Sequence, residues 1–311
     1  MSAVPPGTLA RLFALYLCWG TSVPALKVMV ETIPPLAGAA GVFLAGGALL
    51  AGLSRDRPRP RRAELRRAAL TGVLLLGGQG LATVALIDLS ASLVAILIAS
   101  NALWAAIFAR FAGVAMDRAT LARLAVGFAG IVMVIVSAPG AAISGSATAV
   151  AVALLSSVLW GLGTVIAAHG GPLPRDPVVT GGAQLLAGGA LLLALAAVAG
   201  EMTPAAWQYA SARSLAAAAF LLAFDSLAGF LLYTSLLRSA PLGLVGTYAY
   251  VTPLIAVAIG VVALGDTVSV GAAFGGAVAM AAVIAQLRAR PPLPRGDAGV
   301  PAVVAAVTEP A

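Results

Sequence analysis

The chain has 311 residues, 61% of them hydrophobic and only 9% charged, with a formal net charge of +7. A soluble domain carries roughly 25% charged residues, so composition excludes an ordinary soluble enzyme and points to an all-α, polytopic integral membrane protein. The positive balance does not argue for nucleic acid, because the basic residues concentrate at helix ends, where they report membrane topology.

Ten apolar stretches are expected to span, at about 9–30, 34–53, 68–87, 90–111, 121–138, 147–168, 177–199, 214–237, 242–264 and 268–287. Each is near the ~20 residues that an α-helix needs to cross a ~30 Å hydrocarbon layer. Residues 1–8 precede the first span, which runs on through Trp19, Pro24 and Lys27 with no small-x-small cleavage site, so it reads as retained. Gly20 and Pro24 allow it to bend. The single cysteine, Cys18, excludes an internal disulfide or a thiolate metal cage and is expected to pack as a small apolar residue.

Seven arginines (55, 57, 59, 61, 62, 66 and 67) follow the second span and mark the cytoplasmic side. With the N-terminus inside, Arg110, Arg118 and Arg123 around the next cytoplasmic connection agree, as do Arg11, Arg175, Arg238, Arg288, Arg290 and Arg295. Sixteen of the 18 basic residues then lie inside, leaving Lys27 and Arg213 outside, and both termini are cytoplasmic. The loop P-G-A-A-I-S-G-S separates the fifth and sixth spans. In the tenth, Gly271-x-x-x-Gly275 continued by Ala279 offers close backbone approach. Packing within the monomer is the favoured use of that face, and a homodimer through it the alternative. The segment 288–311, rich in Pro, Ala and Val, is expected to be a disordered cytoplasmic tail.

The chain also repeats itself. L-A-G-G-A-L-L occurs at Leu44–Leu50 and again at Leu186–Leu192, 142 residues later. Trp19-Gly20 precedes the first copy and Trp160-Gly161 the second, 141 apart, and M-D-R-A-T at Met116 aligns with G-D-T-V-S at Gly265, 149 apart. Five spans per half is an odd number, so the halves 9–138 and 147–287 would sit upside down relative to each other. That is the inverted repeat on which alternating access around a central site is built.

These residues resemble a known family. W-G-x-x-x-x-x-x-K at Trp19–Lys27, Thr252-Pro253 ahead of Asp266, and G-D-T-V-S are similar to the EamA-type repeat of the drug/metabolite transporter superfamily, over residues 9–287. The family usually has Glu where this chain has Asp117 and Asp266, and a proline in the fourth span where this chain has N-A-L-W at Asn101–Trp104. The resemblance implies a ten-helix transporter of the inner membrane, moving small metabolites such as amino acids, in the direction of export. It also implies a cavity walled by spans 1, 3, 4, 6, 8 and 9.

Asp225 is the sharpest candidate, because it falls about eleven residues into the eighth span, near the midplane, where a carboxylate must face the bundle interior. It reads either as a proton-coupling or amine-binding acid or as a helix-joining residue. Lys27 reads either as an ammonium snorkelling to the outer interface or as a cavity cation that binds a substrate carboxylate or pairs with Asp225. Gln79, Asn101 and Gln184 could bind a ligand or join helices. Trp19, Trp104, Trp160, Tyr248 and Tyr250 could line a cavity or pack, with Trp19 and Trp160 favoured by their matched positions. Asp88 and the lone His169 fall at helix ends and read as solvated.

No H-E-x-x-H, Walker loop or Cys/His cluster is present, so no catalytic, metal or cofactor site is expected. The expected partners are a small-molecule substrate, the bilayer and, if Asp225 titrates, protons. The rival readings are a multidrug or organic-cation exporter, a membrane enzyme acting on a lipid-linked substrate, and a receptor or scaffold without a cavity.

Overall fold

Backbone groups in lipid have no water to bond, so a chain this apolar must satisfy them within its own helices. The computed structural model describes residues 4–89, 91–114, 117–137, 146–264 and 269–289, and throughout them the regular structure is helical. In chain order the elements are α1 (Pro6–Gly20), α2 (Ser22–Met29), α3 (Pro35–Leu53), α4 (Arg62–Ala85), α5 (Ala91–Ala99), α6 (Asn101–Phe111) and α7 (Arg118–Val136). Then come α8 (Ala147–His169), α9 (Pro177–Val198), the short α10 (Pro204–Trp207) and α11 (Ala212–Phe220), which continues through a π-helical segment, Leu221–Gly229, into α12 (Phe230–Ser239). α13 (Leu242–Val245), α14 (Tyr248–Leu264) and α15 (Val270–Arg288) complete the order.

Among the described residues, eight helical stretches are long and apolar enough to cross a membrane; α7 and α14 occupy the places expected of the fifth and ninth spans. Large apolar side chains such as Phe13, Leu53, Phe111, Val198 and Phe274 point outward, as lipid-facing surfaces do. The third span, α4, begins at Arg62, six residues before the expected 68. Glu64 accepts from the Arg61 N–H at 2.8 Å, so the first turn is held by a charged cap that an apolar window does not see. Asp266, Met116, the 138–145 loop and the tail from residue 290 lie outside the described residues.

Four of the expected spans are interrupted. The first breaks at Thr21, where the hydroxyls of Thr21 and Ser22 each donate to the Cys18 carbonyl at 2.9 Å. The fourth breaks at Ser100 without any proline. There the Leu97 carbonyl accepts from the Ser100 hydroxyl and from the Ser157 hydroxyl of α8, both at 2.6 Å, in place of a regular helical partner. The eighth carries the π segment, and the ninth is cut at Gly246–Thr247 and carries Pro253 inside α14.

Helix pairing follows small residues. The two L-A-G-G-A-L-L copies pack on one another, antiparallel, in the α3–α9 contact. Leu186 lies over Gly47, and Leu44, the equivalent of Leu186, lies over Gly189, the equivalent of Gly47. A Cβ on either glycine would meet a leucine backbone nitrogen at 2.8 or 3.0 Å, so only glycine permits this approach. α7 and α15 make a second such pair, in which Gly130 lies against the backbone of Ala279, 149 residues on. Gly275 faces Gly130 and Val134, and Gly271 faces Ser137. The homodimer alternative for the Gly271–Gly275 face is therefore corrected: α7 of the same chain already covers it.

Candidate functional site

The interrupted helices converge on an aromatic cluster. Trp19, at the end of α1, meets Trp160 of α8 edge-on, with ring centroids 5.5 Å apart and planes at 77°. It also meets Tyr233 of α12 at 4.9 Å and Tyr248 of α14 at 4.8 Å. Gly229 lets the Trp19 indole rest against the π segment, because a side chain there would collide with the ring. Hydroxyls pin the cluster: Tyr233 to Thr164 at 2.5 Å, Tyr248 to the Asn101 amide at 3.0 Å, and Tyr16 below it to Thr247 at 2.6 Å.

Asp225 sits in the π segment, 9% exposed. Its carbonyl accepts from the Phe230 N–H, five residues on, and from the Trp19 indole N–H at 3.4 Å. Asp225 and Phe230 would diverge around an α-helix; the wider i→i+5 turn puts both on the cavity side. The carboxyl's hydrogen-bond partner is the Ser22 hydroxyl, at the break in the first span. Ser226, next in sequence, is 1% exposed, and its hydroxyl has no partner among the described residues.

These groups wall a cavity that draws on α1, α2, α3, α4, α5, α6, α8, α9, the π segment, α12 and α14. It admits the centres of water-sized molecules over about 60 Å³, several times what one water requires. A smaller cavity, lined by Thr164, Tyr233, Gly243 and Gly246 among others, shares Asn101 and Tyr248 with it. Tyr248 thus stands between the two.

The structure brings six of the nine expected residues to the main cavity: Asp225, Trp19, Gln79, Asn101, Trp160 and Tyr248. Three lie elsewhere. Lys27 donates to the Leu86 and Leu89 carbonyls at 2.5 and 3.5 Å, so its charge caps the C-terminal end of α4 and does not pair with Asp225. Trp104 stacks on Phe108 and packs beside Gly161, away from the lining. Tyr250 is buried against Gly127 of α7. Gln184 joins helices, its amide donating to Thr71 at 2.8 Å. Asp88 and His169 are exposed.

Sequence reasoning passed over Ser22, Ser156, Ser157, Ser226, Thr252 and the cluster residue Tyr233. Serine and threonine within spans commonly bond back to their own helix, as Thr164 and Ser54 do here, so nothing in their spacing singles out those facing a cavity.

Comparison with known proteins agrees with this geometry. The model of the EamA-like transporter family matches the chain twice, over residues 8–136 and 147–287. Escherichia coli K12 has a similar protein, described as the uncharacterized inner membrane transporter YedA, 33% identical over 262 residues that cover 83% of each chain. The same protein from Escherichia coli O157:H7 matches to the same extent. A solved crystal structure superposes with a TM-score of 0.70 over 91% of this chain and 96% of its own, at 20% identity, which shows a shared fold.

Proposed function

The chain belongs to the EamA-like transporter family, and from that premise we propose that it is a secondary transporter or facilitator of the inner membrane. It moves small metabolites outward by alternating access, its ten spans forming two inverted five-helix halves, 9–138 and 147–287. The observation that carries this reading is reciprocity at the centre. Trp19 meets its counterpart Trp160, Leu44 and Gly47 meet Gly189 and Leu186, and Gly130 meets Ala279. Counterparts touch one another only along a two-fold axis, and antiparallel helices put that axis in the membrane plane. The relative named as an inner membrane transporter supports the location.

Amino acids are the substrates that the family resemblance suggests; organic cations are the second reading, favoured by the place of Lys27 outside the cavity. Flux of labelled metabolites into and out of proteoliposomes at several pH values tests the function. The wild type is expected to exchange solute, and Asp225→Asn to slow the exchange and flatten its response to pH. Absence of flux for every solute would remove the transport reading. Flux and pH response unaltered in Asp225→Asn would remove only the coupling role.

A further inference from the structure

We propose that the main cavity binds a compact monocationic amine, with the Asp225 carboxylate as its counter-charge and the Trp19, Trp160 and Tyr248 rings as its walls. This rests on the transport reading and names its substrate class. Among the described residues, the cavity lining holds one acid and no base. Lys27, the single lysine of the chain, is spent on the end of α4, and none of the described arginines reaches the lining. A desolvated carboxylate without a cation is costly, and the groups around Asp225 supply none.

The hydrogen-bond inventory points the same way. The Ser22 hydroxyl lies against both the Cys18 carbonyl and the Asp225 carboxyl, a neutral partner that leaves the carboxylate's charge unbalanced. Ser226, next to Asp225 in sequence, also belongs to the lining, and its hydroxyl has no partner among the described residues. A primary ammonium supplies both the missing positive charge and N–H donors for the carboxylate oxygens. Electron-rich rings complete the site, since indole and phenol faces attract a desolvated cation. Trp160 Nε1 lies beside the Tyr233 and Tyr248 hydroxyls but makes no hydrogen bond of good geometry. The carboxylate of a zwitterion would find no cation here and would stand close to Asp225.

The test uses two matched sets that share a body and differ in the charged head: tyramine, tyrosine and 3-(4-hydroxyphenyl)propanoate; and isoamylamine, leucine and 4-methylpentanoate. Binding is measured by competition on the purified full-length protein in lipid nanodiscs. At least one amine is expected to bind about tenfold or more tightly than its matched amino acid and acid, the effect of one charge-assisted hydrogen bond. Asp225→Asn should lose a similar factor and Asp225→Glu recover part of it. An amino acid or acid that competes as well as its amine would overturn the proposal. So would an absence of amine binding in both sets, or amine binding unchanged in Asp225→Asn. The wild-type ranking needs no variant, so poor folding of a variant does not shelter the idea. Counterflow in proteoliposomes separates the two readings: exchange of leucine or tyrosine without exchange of either amine leaves transport standing and ends the amine assignment, while no exchange of any solute ends the transport reading itself.

Discussion

Asp176 shows how one side chain can hold two elements. Its carboxylate accepts from the Val178 N–H at 2.8 Å as the N-cap of α9, and pairs with Arg57 from the connection between α3 and α4. Burial pushes its pKa up, but the hydrogen bond from Arg57 and that from the Val178 N–H outweigh it and hold the carboxyl below its ordinary range. A folded-state pKa below the unfolded value of about 3.9 stabilises the fold fully above that value, and the gain disappears as pH falls through the folded one. Asp176→Asn keeps the cap and loses the pair, which is partly exposed and worth roughly 0–1 kcal/mol. Asp176→Ala loses both, and the cap adds about 1 kcal/mol. Thermal unfolding in detergent should therefore rank wild type, Asn and Ala in that order at pH 7, with the wild-type–Asn gap closing as pH falls below the ordinary carboxylate range. Among the cavity residues, Asp225 was legible because a carboxylate deep in an apolar run is too costly to leave facing lipid. Ser22 and Ser226 were not, because their roles depend on which way a π turn and a helix break aim them.

The helices themselves divide into paired and broken ones. α3 with α9 and α7 with α15 are continuous and glycine-notched, while the first, fourth, eighth and ninth spans, which meet the unbroken α8 at the cavity, are interrupted. Replacing Gly189 by Ile would drive a branched side chain into Leu44, and such overpacking costs about 1–3 kcal/mol. Gly41→Ala is the control, because nothing lies within 4 Å of the added carbon. Chemical unfolding should show a loss for the first and none for the second. The repeat L-A-G-G-A-L-L was visible as letters, and it proved to be the packing surface itself. The break at Ser100 was not visible, because it depends on Ser157, 57 residues away, taking a carbonyl from another helix. The homodimer alternative failed for a related reason: a G-x-x-x-G face advertises close approach without saying to which helix.

For the molecule as a whole, the charge pattern commits to a sidedness. In a Cys18→Ser background, Arg59→Cys should react with a membrane-impermeant maleimide only in inverted vesicles, and Arg213→Cys only in intact spheroplasts. Labelling of both from the same side would contradict the inverted arrangement. The Trp19–Trp160 contact has one more consequence. The chain has four tryptophans; Trp104 stacks with Phe108, and Trp207 bonds to the Glu201 carbonyl outside the cavity. With those two changed to Phe, the remaining indoles form an isolated exciton-coupled dimer in the cavity wall. The protein would carry an intrinsic optical reporter, a bisignate circular-dichroism band that shifts when a guest separates the rings, readable without any attached dye.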